Sequence, residues 1–514
     1  MKAVYIGLDV GTSGCKAALV DRSGKILAMA RREYGFESPE PGMVELNPVT
    51  VWNAVKETLA EAASPEVEIR MLAVSSIGEA VVMVDKDGGV LRNGITYLDQ
   101  RGPETAEYIR GRMDDRYLHG LTGVPVNPMY TLNRCVWLKE HQPEIVEKTA
   151  HYFMFGDYIT YMLTGQKVID QSSASRTMLF DAGNLEWSRE IGERFGVPVE
   201  KFSPVASTGA IVGRIRKELA EETGLPYDLK IVLGCHDQCS ALLGSGAVKP
   251  GDIMAGEGST ESINLIIHKE NFNDSFFENQ LCFEPYIQPG QYIIPVGQLS
   301  HGTSIRWFVS EFGADFKAER SGLSSGMGGR KVALVKPENA GKSIYDLANE
   351  NCAPDSGDVY FLPYLSRVKS MDASNQALGV FLGLDVNTGR AQMYRALLEG
   401  LCFESRTCFD TLKKVGLPIH KIVASGGCSK SPLFMQMKAD VLRQPIHILD
   451  NPDAGITGLA MICAAADGAY KNYEEAAEVF VKTARGYAPE NDYQEKYEKY
   501  CLIRETMKEL YQKL

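Results

Sequence analysis

An α/β fold built from two similar halves is what this 514-residue sequence predicts, on three observations. Strand-like and helical patterns alternate along the whole chain. Two Gly/Ser/Thr turns, GTSG at 11–14 and GST at 258–260, each follow an apolar run and lie about half a chain apart. Between them a Pro-Gly pair, Pro250-Gly251, is the strongest break signal, and it divides the chain into domains of 1–250 and 251–514.

The elements follow in order. The first strand, VYIGLDV at 4–10, breaks at Gly11-Thr12-Ser13-Gly14 and resumes at 15–20, and a second turn at 22–24 leads to a third strand at 25–30. Glycine permits the tight turn, so that backbone N–H groups converge, while the hydroxyls of Thr12 and Ser13 and the charge of Lys16 complete a phosphate-sized tip. Asp9, ending the first strand, is placed to hold a hydrated Mg²⁺ beside such phosphates. A tight hairpin with no ligand fits the same residues. Neither a G-x-G-x-x-G opening a helix nor a Walker A loop is present here. A helix over 48–63 opens at Asn47-Pro48, a cap followed by an N1 proline. Strands at 71–77 and 80–84 come next, then helices at 103–113, 132–140, 144–149, 156–163 and 213–223. A buried strand at 230–233 passes through a turn at Asp237 and an apolar helix to the domain break.

The second half repeats the plan, with strands at 253–256, 262–267 and 292–296 and a helix at 302–312. Later, SGGCSKS at 425–431 follows a β-like run at 422–424 and precedes a helical pattern of Leu433, Met437 and Val441. Two phosphate turns and this late glycine turn suggest a nucleotide held between the halves. The Gly-, Ser- and Lys-rich segment 314–345 is expected to be a mobile insertion. Its AGKS ending resembles a Walker A tail, but Lys336 occupies the place of the first glycine, so a solvated loop is expected.

Composition narrows the class. A hydrophobic content of 44% with 23% charged residues suits a globular chain with ample core, and a formal charge of −12 argues against a nucleic-acid partner. No apolar run reaches the ~18 residues that span a bilayer, and no signal peptide is visible, so a cytoplasmic protein is expected. Eleven scattered cysteines without a C-x-x-C read as free thiols. The run Cys235-His236-Asp237-Gln238-Cys239 lacks a second ligand pair with zinc-site spacing.

Longer motifs carry a resemblance. MYTLNRCVWL at 129–138, GVFLGL at 379–384 continuing to Gln392-Met393 and ALLE at 396–399, DYITYMLTG at 157–165, GCHDQCSALLGSGAVKPGD at 234–252, YFLPYL at 360–365 and GGCSKSPLFMQMKADVL at 426–442 together resemble the FGGY carbohydrate kinases, over nearly the whole length. The resemblance implies the actin-like ATPase fold: two RNase H-like domains with a cleft between them, the first holding sugar and catalytic Asp, the second nucleotide. It implies that Asp237 takes the proton from the substrate hydroxyl. On local sequence alone, Asp237 reads rather as a helix-capping carboxylate, and the resemblance reverses that preference. For ATP it implies Gly11, Thr12 and Ser13 in the first turn, beside which Lys16 adds its charge, Ser259 and Thr260 in the second, Gly302 and Thr303 opening a helix, and Gly426, Gly427, Lys430 and Ser431. Glycines at 426–427 would let a planar adenine or ribose approach the backbone.

Sugar recognition is expected from Glu79, Asp99, Arg101 and Gln238. The family's Gln-Met-His-Gly or Gln-Arg-Glu-Thr segment reads Ile77-Gly78-Glu79-Ala80 here, which leaves Glu79 as its polar group. Tyr97-Leu98-Asp99-Gln100-Arg101 corresponds to Trp-x-Asp-x-Arg, with Asp99 accepting sugar hydroxyls and Arg101 reading the sugar or fixing Asp99 as an ion pair. Glu261 stands beside the second turn where relatives carry a small residue. After LPYL, Arg367 and Lys369 face either a charged substrate or solvent. The reading is an ATP- and Mg²⁺-dependent kinase for a primary hydroxyl of an open-chain sugar, a ketopentose such as xylulose. The alternatives are another polyol, sugar acid or sugar-derived signal, or an actin-like ATPase that controls a partner. The oligomeric state is left open, a homodimer included.

Overall fold

The computed structural model describes residues 2–313, 342–365, 377–511 and 513. The insertion expected at 314–345, apart from its last four residues, and the cations Arg367 and Lys369 lie outside the described residues. Two compact units divide the chain out of sequence order: the first is Met1–Ile253, Asn264–Pro295 and Asp450–Lys482, the second Met254–Ile263, Val296–Leu449 and Thr483–Leu514.

The first unit is built on a six-stranded sheet in the order Ile211–Arg214, Lys230–His236, Val67–Ser76, Lys2–Val10, Gly14–Asp21, Ile26–Glu33. Lys2–Val10 runs antiparallel to Gly14–Asp21, which sets Asp9 opposite Lys16, and parallel to Val67–Ser76, which sets Asp9 beside Ser75. Val67–Ser76 is parallel in turn to Lys230–His236, pairing Ser76 with His236. Three parallel strands therefore end along one edge of the sheet, and open α/β sheets bind ligands at such carboxyl ends. The central strand is apolar on both faces, with Val4, Ile6, Leu8 and Val10 in one core cluster. The helix Pro48–Ala62 packs on Gly14–Asp21 and Ile26–Glu33, adds Val51, Val55 and Leu59 to that cluster at helical spacing and is capped by Asn47 through Val49 N at 3.0 Å.

A different part of the unit holds the helix Asp237–Gly244 against the apolar helix Ala454–Ala466. Their closest approach is at glycines: a Cβ on Gly244 would run into the Ala454 carbonyl, and one on Gly458 into the Ser240 carbonyl. The helix expected over 213–223 divides: Ile211–Arg214 is an edge strand paired with Lys230–His236, and only Lys217–Thr223 is helical. Gly213, a poor helix former, falls in that strand.

A second sheet has seven strands in the order Glu284–Pro285, Gln291–Gln298, Glu261–His268, Asp252–Glu257, Lys421–Ser425, Ile446–Leu449, Thr483–Tyr487. In the second unit, a three-residue turn joins Asp252–Glu257 to Glu261–His268, closed by Gly258 N donating to the Thr260 carbonyl at 3.1 Å. The 25-residue helix Arg390–Lys414 packs on Pro432–Leu442 in the same unit.

Candidate active site

At the strand ends of the first unit, each Asp9 oxygen has a partner: Ser75 Oγ donates to Oδ1 at 2.7 Å, and Lys16 Nζ lies 3.4 Å from Oδ2. The same ammonium is 3.2 Å from Asp453 Oδ1, so Lys16, expected on a phosphate, sits between two carboxylates. Asp453 also accepts from Arg31 Nη2 at 3.1 Å. The turn itself is held by Gly11 N donating to the Gly14 carbonyl at 3.0 Å and Tyr34 Oη donating to the Gly11 carbonyl at 2.6 Å, with Thr12 hydrogen-bonded to Tyr97 and Ser13 exposed at the tip.

No group of three His, Cys, Asp or Glu side chains converges as a metal cage among the described residues. Mg²⁺ carried on phosphates takes only one or two carboxylates, the rest of its shell being phosphate and water. Asp9, its orientation fixed by Ser75, fits that requirement. When bound, such an ion neutralises phosphate charge.

Two strands away, His236 ends its strand and Asp237 begins the helix, about 10 Å from Asp9 by strand spacing. Asp237 keeps 31% of its side chain open, with Oδ1 at 3.2 Å from His236 Nε2. Burial, then repulsion from Asp9 and Glu79, pushes its pKa up to about 8. His236 is drawn down to about 3 by burial and by Arg176, so its ring is neutral at physiological pH. Behind this pair lies a buried cluster that sequence reasoning missed. Arg176 donates Nε to Glu79 Oε1 at 2.7 Å and pairs through Nη1 with Glu284. Burial works against the charge of Glu79, yet Arg176 holds its pKa below the usual carboxylate range; burial and Glu79 push that of Glu284 up. Nothing local in the sequence joins residues 79, 176 and 284. Only a charged Arg inside the small-residue run SSASRT hinted at a buried cation.

The other sugar candidates divide. Gln238 Oε1 accepts from Asn264 Nδ2 at 3.0 Å. Asp99 is enclosed: Oδ1 accepts from Arg101 Nε at 2.9 Å and Oδ2 from Val44 N at 2.7 Å and Arg101 Nη2 at 2.6 Å. Of the two readings open for Arg101, the structure displays the ion pair.

The second unit encloses a cavity of about 560 Å³. Ile305, Tyr394, Leu398 and Phe434 give it apolar surface, and Gly258, Ser259, Gly302, Gly427, Lys430 and Ser431 line its polar side. Six residues from separate segments thus converge on a volume in the ordinary range for a small-molecule site. Thr303 supports the turn, its Oγ1 donating to the Ser259 carbonyl at 2.9 Å, and Ser431 caps the helix Pro432–Leu442 by accepting from Phe434 N at 3.2 Å. Thr260 is exposed in the turn and does not line the cavity. Gly426 has a different cause from the one expected: its φ is +117°, and a Cβ there would lie 2.7 Å from the Glu257 carbonyl, so strand packing demands the glycine. Glu261 is buried in an ion pair with Lys438 and accepts from Gln298 Nε2 at 2.6 Å.

Comparison with known proteins matches residues 4–244 to the N-terminal domain, and residues 267–466 to the C-terminal domain, of the FGGY family of carbohydrate kinases. The chain is 26% identical over 499 residues to the xylulose kinase of Bacillus subtilis (strain 168), covering 96% of this chain and 94% of that one. It is 25% identical over 505 residues to the gluconokinase of Bacillus licheniformis, covering 97% and 94%. The crystal structure of xylulose kinase from Rhodospirillum rubrum superposes with a TM-score of 0.85 at 24% identity, covering 99% of both chains.

Proposed function

We propose, because the chain belongs to the FGGY family of carbohydrate kinases, that it transfers the γ-phosphoryl group of ATP to a primary hydroxyl of an open-chain ketopentose such as xylulose. Asp237 is the general base. The observation that carries this role is the place of its carboxyl group, part-exposed at the start of the helix that follows a sheet strand, with Oδ1 3.2 Å from His236 Nε2, where burial and the charges of Asp9 and Glu79 raise its pKa. A base so tuned takes the hydroxyl proton near neutral pH, as the alkoxide-like oxygen attacks phosphorus and ADP leaves.

Residues 1–250 supply the sugar site and the base, and 251–514 the nucleotide site. Adenosine occupies the second unit's cavity, its ring against Tyr394 and Phe434, and the turn at 258–260 in the same unit donates to phosphate. Asp9 holds Mg²⁺ through the phosphates. Glu79, fixed by Arg176, accepts from sugar hydroxyls together with Gln238, whereas Asp99 and Arg101 shape the site without touching the sugar. A sugar acid is the second reading, favoured by a gluconokinase at nearly the same identity as the xylulose kinase.

ADP release measured across a panel of ketopentoses, polyols and aldonic acids tests the assignment. Xylulose or another neutral ketose giving the highest kcat/KM supports the first reading, and an aldonic acid doing so supports the second. ATP turnover unaffected by every sugar would sink both.

A further inference from the structure

Flanking the turn at 258–260, within the second unit, is a buried ionic cluster whose members adjoin the lining of the cavity without belonging to it. Glu257 ends the strand before the turn, and Glu261 begins the strand after it. Both carboxylates pair with one ammonium, Lys438, which stands one helical turn beyond Phe434 on Pro432–Leu442. The second oxygen of Glu257 accepts from His301 Nε2 at 2.7 Å, and His301 directly precedes Gly302. The second oxygen of Glu261 accepts from Gln298 Nε2 at 2.6 Å and Ser405 Oγ at 2.7 Å. All of these side chains are buried. Burial opposes the charge of Lys438, yet Glu257 and Glu261 hold its pKa above the ordinary lysine value. Burial opposes the charge of Glu257 as well, and Lys438 with His301 holds it below the usual carboxylate range. Both groups therefore stay ionised at neutral pH.

An ion pair this deep adds little stability over apolar side chains of the same volume, because desolvation offsets the attraction. What it supplies here is direction. One ammonium fixes both ends of a three-residue turn to one point on a helix, where apolar contacts would let them slide. The frame is completed by Gly302 N donating to the Gly258 carbonyl and Thr303 N to the Ser259 carbonyl, each at 3.1 Å. Gly258, Ser259, Gly302 and Phe434 all line the cavity, and each lies close in sequence to a member of the cluster. Given the reading of this cavity as the nucleotide site, we propose that Lys438 is a positioning residue for the phosphates: by holding Glu257 and Glu261 at the two ends of the turn, it fixes Ser259 where the phosphate end of ATP lies. Lys438 does not line the cavity, so its effect passes through the turn.

Calorimetry on the full chain with Mg²⁺ compares two probes, ADP and adenosine, because both carry the ring and only ADP reaches the turn. Wild type is expected to bind ADP the more tightly. Lys438→Met fills a similar volume and leaves Glu257 and Glu261 to repel each other across the turn; it is expected to weaken ADP by at least about tenfold and adenosine by less than about threefold. Steady-state kinetics give a second readout, in which KM for ATP rises while KM for the best sugar stays within about twofold. Should Lys438→Met fail to fold, Glu261→Gln decides: it removes one charge, keeps an amide oxygen for Ser405, and is expected to lower the ratio of ADP to adenosine affinity by about threefold or more. Equal weakening of both probes, or wild-type ADP affinity and KM for ATP in the folded variants, overturns the positioning role. A wild type that binds ADP no more tightly than adenosine overturns the nucleotide reading of the cavity itself, and the role of Lys438 with it.

Discussion

Asp237 sets a pH dependence that distinguishes a base from a cap. The base must be ionised to act, so turnover rises with pH through the region around 8. Asp9→Asn removes one of the repelling charges and should move that inflection downward, which a pH profile of kcat/KM reads directly. Asp237→Asn keeps the shape and is expected to lower turnover by roughly two to four orders of magnitude. The same residue makes a stability prediction of opposite sign. Its folded-state pKa lies above the unfolded value of about 3.9, so the folded state holds the extra proton in between. The associated stability is fully present below about pH 4 and is lost as pH climbs through about 8. Asp237→Asn should therefore melt at a higher temperature than wild type at pH 9 and at nearly the same temperature at pH 4; a lower melting point at pH 9 contradicts the assigned environment. Asp99→Asn belongs to a different class. It breaks a buried ion pair, an effect of about 3–5 kcal/mol. Thermal or urea unfolding should show that loss, while the folded fraction retains its sugar KM.

The first hairpin was legible because its signal is local. Glycine spacing, the apolar run and the hydroxyls all fall within residues 4–20; the observed strand Lys2–Val10 starts two residues before the expected one, and Gly14–Asp21 extends the expected one by a residue at each end. What the sequence could not convey is the company of Lys16, because Asp453 lies 437 positions away. That company changes the expectation for the element. If Lys16 chiefly balances Asp9 and Asp453, then Lys16→Ala frees a carboxylate and lowers the Mg²⁺ concentration needed for half-maximal rate. If it grips phosphate, KM for ATP rises instead, and a titration of each distinguishes the two. Thr12→Ala should raise KM for ATP without altering sugar preference. The Glu79–Arg176–Glu284 cluster was illegible for the same reason as Asp453: long-range pairing leaves no trace in a single sequence. Asp99 and Arg101, two residues apart, could at least be posed as a pair.

At the scale of the molecule, alternation of strands and helices was enough to foresee an α/β chain, and family motifs extended that to the kinase fold. The apolar helix Ala454–Ala466 belongs with the first unit, although its sequence position suggested the second domain. Hydrophobicity reveals that a helix is buried and not which sheet it covers. The glycine crossing at Gly244 and Gly458 depends on that placement, and Gly458→Val, which drives a branched side chain into the Ser240 carbonyl, should unfold the first unit or displace the base. The same crossing has a consequence for synthesis on the ribosome. The strand Lys2–Val10 leaves the exit tunnel long before a helix packed against it, which is completed only after residue 466 has been made. For most of translation an apolar face of the nascent sheet waits uncovered, a setting that favours aggregation and chaperone capture. A chain stopped after residue 449 should accordingly collect in the insoluble fraction, and co-expression of residues 450–514 as a separate piece should return part of it to solution.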